Sequence, residues 1–358
     1  MFRSIIRRLP PKFKATLINS HAIVQLTVVR MCSHNGFLSS LYYLLFSRQF
    51  YSEHQAVLRG RLRYAEDLKR GGTSSALLRR NTHRLEKGLI MKPRRPAFAE
   101  DFILETVEAF NRAQETPSYS GEELRWAGDV LREYFSVVSD TSIIRNAREA
   151  FAGAGDIKSE PRETGQVRSK PHLRVDSPEL SVSFEDLQKL FRRRRSVRWY
   201  LPKPVPVELI YKAIDAAAQA PSACNRQPFR FIVATKTEWV SKIAYCPGGA
   251  AGFSHQLPAI IVVVGNLSAY PFERDRHLIY LDASLANMQL MLAAETLGLA
   301  TCPINWPDLK LVEKRIGKLI KLPAHERVVM LMAIGYADPD GGVPYSQKKQ
   351  RDLLTTEL

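Results

Sequence analysis

Between Asp282 and Leu297 the chain passes through Leu285, Ala286, Met288, Leu290, Met291 and Leu292 with almost no polar face. A helix that is apolar all round has to be buried, either in a core or in a subunit interface. The fold must therefore cover this segment on every side. Three short apolar runs can share in that cover: Phe229–Ala234, Ala259–Val264 and Val328–Ile334. Each reads as a strand buried on both faces. Val207–Gln219, closed by Pro221, reads as a helix, and Ser183 with Asp186 forms a capping box for another. Helices mixed with strands around one sheet predict an α+β domain over residues 183–358.

The first 150 residues have a different texture. Leu77, Leu78, Leu85 and Leu89, then Phe102, Ile103, Val107 and Phe110, recur at helical spacing. Pro93 and Pro96 break the pattern between them, and Leu124, Val130, Leu131, Phe135 and Val138 give a further amphipathic helix. Residues 1–150 are thus expected to be mostly helical. Residues 151–182, with Gly153, Gly155, Pro161, Gly165, Pro171 and Pro178, read as a linker with little apolar surface to bury.

A chain of 358 residues with 45% hydrophobic content can fill two cores. Its net charge of +16 favours anionic partners. The charge is unevenly placed: Arg3, Arg7, Arg8, Lys12, Lys14, Arg30 and Arg48 precede the first acid, Glu53. Such an arm suits an anionic membrane surface, an acidic partner or nucleic acid, and equally a solvated extension. No motif gives nucleic acid a strong claim. Four scattered cysteines, Cys32, Cys224, Cys246 and Cys302, make neither a disulfide framework nor a metal site. The apolar stretch from Phe37 to Phe46 is too short to span a bilayer. No signal peptide is evident. These features predict a cytoplasmic protein, with peripheral membrane contact left open.

Four blocks carry chemistry. Arg194-Arg195-Ser196-Val197-Arg198 ends a run of four arginines, and Pro221-Ser222-Ala223-Cys224-Asn225-Arg226-Gln227-Pro228-Phe229 follows. Then come Gly298-Leu299-Ala300-Thr301-Cys302-Pro303-Ile304-Asn305 and, near the C-terminus, Lys348-Lys349-Gln350-Arg351. Guanidinium forks match phosphate geometry, and a serine hydroxyl adds a directional bond. An arginine run alone is as well explained by a solvated basic face, and the C-terminal block alone by a charged tail. In this order, however, the four blocks resemble the FMN-dependent nitroreductase superfamily, over roughly residues 184–358.

The resemblance implies a dimeric α+β fold with a mixed, mainly antiparallel sheet flanked by helices, preceded here by the helical region. It implies that Arg194, Arg195 and Ser196, with Val197 between them and the next cation, hold the phosphate and ribityl side of FMN. Arg198 takes the basic position near N1 and O2, where a fixed cation favours the negatively charged reduced ring. Pro221, Ser222 and Ala223 pack on the flavin, often from the second subunit, and Asn225 and Gln227 are the polar positions that follow. Pro303, Ile304 and Asn305 lie beside the reactive face, and Lys349 and Arg351 close on the phosphate. Trp306 departs from the family pattern, and whether it caps or narrows the pocket is left open. Cys224 and Cys302 are expected to be packing residues.

The implied reaction takes electrons from NAD(P)H through flavin N5 to an electron-poor small molecule of nitro, quinone or enone type, in a ping-pong cycle. No Gly-x-Gly-x-x-Gly follows a strand, so the nicotinamide would bind only transiently. Related reactions remain open: reductive dehalogenation, flavin breakdown or azoline oxidation. A non-catalytic flavin-binding or assembly module is the reading from another class. In the N-terminal half, His83 and Glu86 share a helix face three residues apart, a spacing that is usually structural. The N-terminal half contains no nucleophile–base set, metal spacing or phosphate loop, which predicts a cover for the C-terminal domain.

Overall fold

A computed structural model describes residues 23–47, 49–70, 72–153 and 168–358. Five arginine and lysine positions of the basic arm (Arg3, Arg7, Arg8, Lys12, Lys14), Arg48, and the linker positions Gly155, Pro161 and Gly165 lie outside the described residues. Packing divides the chain into two units, the first reaching His54 and including residues 308–310, the second holding the remainder from Gln55.

In the first unit, residues 23–32 are helical and α1 spans Gly36–Leu45. Asn35 caps α1 by accepting a hydrogen bond from the Leu38 amide at 2.9 Å. The next helix, α2 (Tyr51–Arg70), runs across the division.

The second unit is built on a four-stranded antiparallel sheet of β1 (Phe229–Ala234), β2 (Ala259–Asn266), β3 (Ala300–Asn305) and β4 (Glu326–Gly335), in the order β1-β2-β4-β3. Ile261 faces Met332 in the central pair, and the register shifts between Val263 and Val264. Because side chains alternate along a strand, β2 feeds two cores. Ile260, Val262 and Val264 pack on one side with Val240 and Ile243 of α9 (Thr237–Tyr245) and Val312 and Ile316 of α11 (Lys310–Ile320). Ala259 and Ile261 pack on the other with Ile210 and Ala213 of α8 (Val207–Ala217) and Ala286 and Leu290 of α10 (Leu278–Thr296). Both faces are covered, which is why β2 is apolar without alternation. Strand β3 lies at the edge, where Pro303 removes no needed ladder donor.

The helical layer comprises α3 (Ala76–Leu89), α4 (Ile103–Glu115), α5 (Gly121–Val137) and α6 (Ser142–Ala152). Leu78, Leu85, Ile103, Phe110, Leu131 and Tyr134 fill its own core. It belongs to the same unit as the sheet. Helix α2 joins the two: Ala56 is buried with Leu267, Tyr270 and Ile279, and Arg61 pairs with Glu273 at 3.0 Å. Gly60 permits the approach, since a Cβ there would stand 2.8 Å from the Leu267 backbone oxygen. The last helix before the arginine block, α7 (Phe184–Arg193), is capped as its sequence predicts, with the Asp186 amide donating to Ser183 Oγ at 3.1 Å.

Candidate active site

Helix α7 ends where Arg194 turns extended, with φ −60° and ψ 119°. The chain then runs beside the edge strand: Ser196 bridges Thr301 in parallel, and the Val197 amide donates to the Thr301 carbonyl at 3.1 Å. Two further ties hold it. The Tyr200 hydroxyl donates to the Val197 carbonyl at 2.8 Å, and Gln256 grips both sides of Trp199, accepting from the Tyr200 amide at 2.9 Å and donating to the Arg198 carbonyl. Arg193 pairs with Glu295 at 2.9 Å, which fastens α7 to the end of α10. The arginine block and β3, over 100 residues apart in sequence, are thereby made neighbours.

Within this neighbourhood Arg194 Nε and Thr301 Oγ1 are buried and have no hydrogen-bond partner among the described residues. Buried donors are almost always bonded, so an unbonded guanidinium nitrogen marks a place where an acceptor belongs. Arg195 and Ser196 are half-buried, Val197 is buried and Arg198 is exposed. Cys302 is 2% exposed in the sheet core, and burial pushes its thiol pKa up while Arg198 pulls the other way. It is a packing residue. Pro303 is half-buried, Ile304 buried and Asn305 exposed at the end of β3.

Trp306 does not sit over the site. It is buried in the core beneath the sheet, and its indole N–H donates to Glu313 Oε1 at 2.6 Å. An indole with a carboxylate acceptor on the next helix can be buried at little cost, and that acceptor draws it inward.

The loop from Pro221 to Gln227 is held from α10. Asp282 Oδ2 accepts from Ser222 Oγ at 2.6 Å and from the Ala223 amide at 2.9 Å, and Ser222 Oγ accepts from the Gln227 amide at 2.7 Å. Cys224, Asn225 and Gln227 all have positive φ, near +50°. Asparagine tolerates that region; cysteine and glutamine are strained there. Asp282 is 3% exposed. Sequence reasoning took it only as the start of a helix, although an acid inside an apolar segment was the available signal.

The same loop is gripped from the helical layer. Arg79 Nε donates to the Asn225 carbonyl at 2.9 Å, and Arg79 pairs with Glu123 at 3.1 Å. Glu123 also accepts from Ser74 Oγ at 2.7 Å, from the Ser75 amide at 3.2 Å and from the Tyr119 hydroxyl. Burial and the Glu123 carboxylate both raise the Tyr119 pKa. A cavity of about 290 Å³ separates the layer from the loop, lined among others by Tyr64, Asp67, Ser75, Arg112, Arg226 and Gln227. None of Arg194–Arg198 lines it. One Glu86 carboxylate oxygen accepts from His83 Nδ1 at 3.2 Å, while the other accepts from Trp126 at 2.9 Å, a structural arrangement within the layer.

Not every expected site residue is brought together. Among the described residues no hydrogen bond or ion pair joins the loop 221–227 to the arginine block. Lys349 and Arg351 lie on an exposed C-terminal segment, where Arg351 is 87% exposed and pairs with Asp352 at 3.8 Å.

Residues 191–245 and 243–336 match the family model described as "Nitroreductase family". A Methanothermobacter thermautotrophicus protein, provisionally assigned as an NADH dehydrogenase/NAD(P)H nitroreductase, is 33% identical over 165 residues, covering 45% of this chain and 82% of that protein. Iodotyrosine deiodinase 1 of Mus musculus is 23% identical over 214 residues, covering 51% of this chain and 73% of its own. The solved FMN-dependent nitroreductase of Clostridium difficile R20291 aligns at 26% identity and a TM-score of 0.39, covering 44% of this chain and 91% of its own. The chain belongs to the nitroreductase family, and its chemistry is that of an oxidoreductase.

Proposed function

We propose that this protein is an FMN-dependent oxidoreductase that carries electrons from NAD(P)H to an electron-poor small molecule of nitro, quinone or enone type by a ping-pong mechanism. Bound FMN would supply hydride acceptance and donation at its N5. The residues present fit the group. Arg194, with Arg195, would hold the phosphate, and Ser196 would bond the ribityl chain. Arg198, its carbonyl gripped by Gln256, would stand as the cation near N1 and O2. Pro221, Ser222 and Ala223 would pack on the ring with Asn225 and Gln227 as polar contacts, and Pro303, Ile304 and Asn305 would lie beside its reactive face. Lys349 and Arg351 would close on the phosphate from the C-terminal segment.

The observation that carries this reading is the buried, unbonded Arg194 Nε in a block hydrogen-bonded to β3. The purified protein should be yellow and bleach when NADH or NADPH is added without oxygen. Colourless protein that takes up no added FMN rejects the proposal. A homodimer in the cytoplasm completes it. Leu281, Leu285 and Met288 leave an exposed apolar row on α10, at the i, i+4, i+7 spacing of a helix face that seeks a partner. Sedimentation of the chain as a monomer that retains FMN contradicts that part.

Likeness to iodotyrosine deiodinases favours a second reading, reductive dehalogenation at the same site. Halide release from a halotyrosine by the reduced protein, measured beside reduction of a quinone, separates the two.

A further inference from the structure

The first unit presents an apolar surface that the chemistry of the proposed site does not use. Helix α1 contains Phe37, Leu38, Leu41, Leu44 and Leu45 among its 10 residues, yet none of its residues is buried. Phe37 is 77% exposed and Phe46, at its end, 70%. The helix before it exposes Leu26 and Met31 to 67% and 66%. The two are joined through a turn at Ser33–Asn35, where Ser39 Oγ donates to the Cys32 carbonyl at 2.9 Å. Tyr42, Tyr43, Phe46 and Phe50 form a contiguous set of ring contacts at its far end.

We propose that residues 23–46 insert into one leaflet of an anionic lipid bilayer and hold the enzyme at its surface. Length decides against spanning: at about 1.5 Å per residue α1 is roughly 15 Å long, half of a hydrocarbon core of about 30 Å. Among the described residues no helix is long and apolar enough to cross. A short apolar segment with Tyr42, Tyr43 and Phe46 clustered at one end suits the depth between acyl chains and headgroups. Charge selects the occupant. Arg30 is the one charged lysine, arginine or acid between residues 23 and 46, and Arg3, Arg7, Arg8, Lys12 and Lys14 precede it, Arg48 follows, and no acid occurs before Glu53. A second copy docked on this face would crowd like charges together. Anionic headgroups would neutralise them.

The test uses the full chain with its cofactor and two vesicle types, pure phosphatidylcholine and an equimolar mixture of phosphatidylcholine and phosphatidylglycerol. The protein should sediment with the anionic vesicles, far less with the neutral ones, and should be released as salt is raised. Phe37→Asp, Leu44→Asp and Phe46→Asp combined should lower partitioning by about 100-fold or more, since each takes an apolar side chain out of the acyl region. These positions are exposed, so the variant's thermal midpoint should match the wild type. In a separate protein, Phe46→Trp should add a tryptophan emission that shifts to the blue on addition of anionic vesicles. Failure to bind anionic vesicles, equal binding by the triple variant, or no shift from Phe46→Trp overturns the proposal. So does a higher oligomer that the triple variant splits while vesicles bind neither form.

Discussion

Two partly buried arginines, one in each region of the second unit, stand in contrast. Arg79 of the helical layer is engaged within the protein: its Nε bonds the Asn225 carbonyl, its terminal nitrogen pairs with Glu123, and its Cζ lies 5.4 Å from the Trp126 ring centre. Arg194 of the sheet region has a buried Nε with no bonding partner among the described residues. The first pattern is what a structural clamp requires, because every buried charge needs a partner within the fold. The second is what a ligand site requires, because the partner arrives later. The helical layer is therefore read as support and the arginine block as reception. The loop 221–227 is held by Asp282 of α10 and by Arg79 of the helical layer.

The largest expected effect tests the loop's anchor. Asp282→Ala leaves the Ser222 hydroxyl and the Ala223 amide without their acceptor, and should cost about 3 kcal/mol of stability, the upper range for bonds to a charged group. Urea unfolding of the full chain measures it. A variant as stable as the wild type would show that α10 does not hold the loop.

Next comes the receiving arginine. Arg194→Ala should weaken FMN binding by about 1.5–3 kcal/mol while leaving the unfolding midpoint almost unchanged. Arg198→Ala should retain more cofactor but lower the flavin potential, read by spectroelectrochemistry. If both variants bind FMN like the wild type, the contrast between reception and support collapses.

Arg79→Ala should do the reverse. Glu123 keeps its bonds from Ser74, Ser75 and Tyr119, so the expected stability loss is smaller, about 1–2 kcal/mol. FMN affinity should fall only through loosening of the loop. Arg79→Lys should rescue little, since one ammonium cannot reproduce a fork that bonds a carbonyl and a carboxylate together. Full rescue by lysine would reduce Arg79 to a simple charge.

What the sequence made legible follows the range of the interactions. The bounds of β1 were readable, Phe229–Ala234, because a strand buried between two layers is a bare apolar run. The Ser183 cap is local and was read from a three-residue spacing. Helix α10 begins at Leu278, four residues before the expected start, because His277 offers no side-chain cap to mark it. Strand β3 was not anticipated: Pro303 argues against a strand unless the strand lies at an edge, and only the sheet order reveals that. The two contacts that hold the loop join residues 60 and 146 positions apart, beyond any periodicity. The Trp306 acceptor, Glu313, is only seven residues on, but it meets the indole only once α11 packs under the sheet.

The smallest expected effect probes the seam where α2 meets the sheet. His325 is half-buried beside Glu326 and Arg230, and Arg63 and Asp67 of α2 face it. Burial, against the opposing pull of Glu326, lowers its pKa below the ordinary value of 6.5. The sign follows from linkage. A histidine whose folded pKa is depressed binds its proton more readily in the unfolded chain, so its neutral form stabilises the fold fully above the unfolded value. That contribution is lost as pH falls from about 6.5 through the folded pKa. Carboxylates add their own slope at lower pH, so the comparison must be made against a variant. His325→Gln keeps a polar side chain of similar size without the titration. Unfolding free energies measured from pH 7.5 down to pH 5 should decline more steeply for the wild type than for His325→Gln. Parallel slopes would mean that the seam stays open to water at this point, and that α2 covers the sheet less closely than the contact at Gly60 requires.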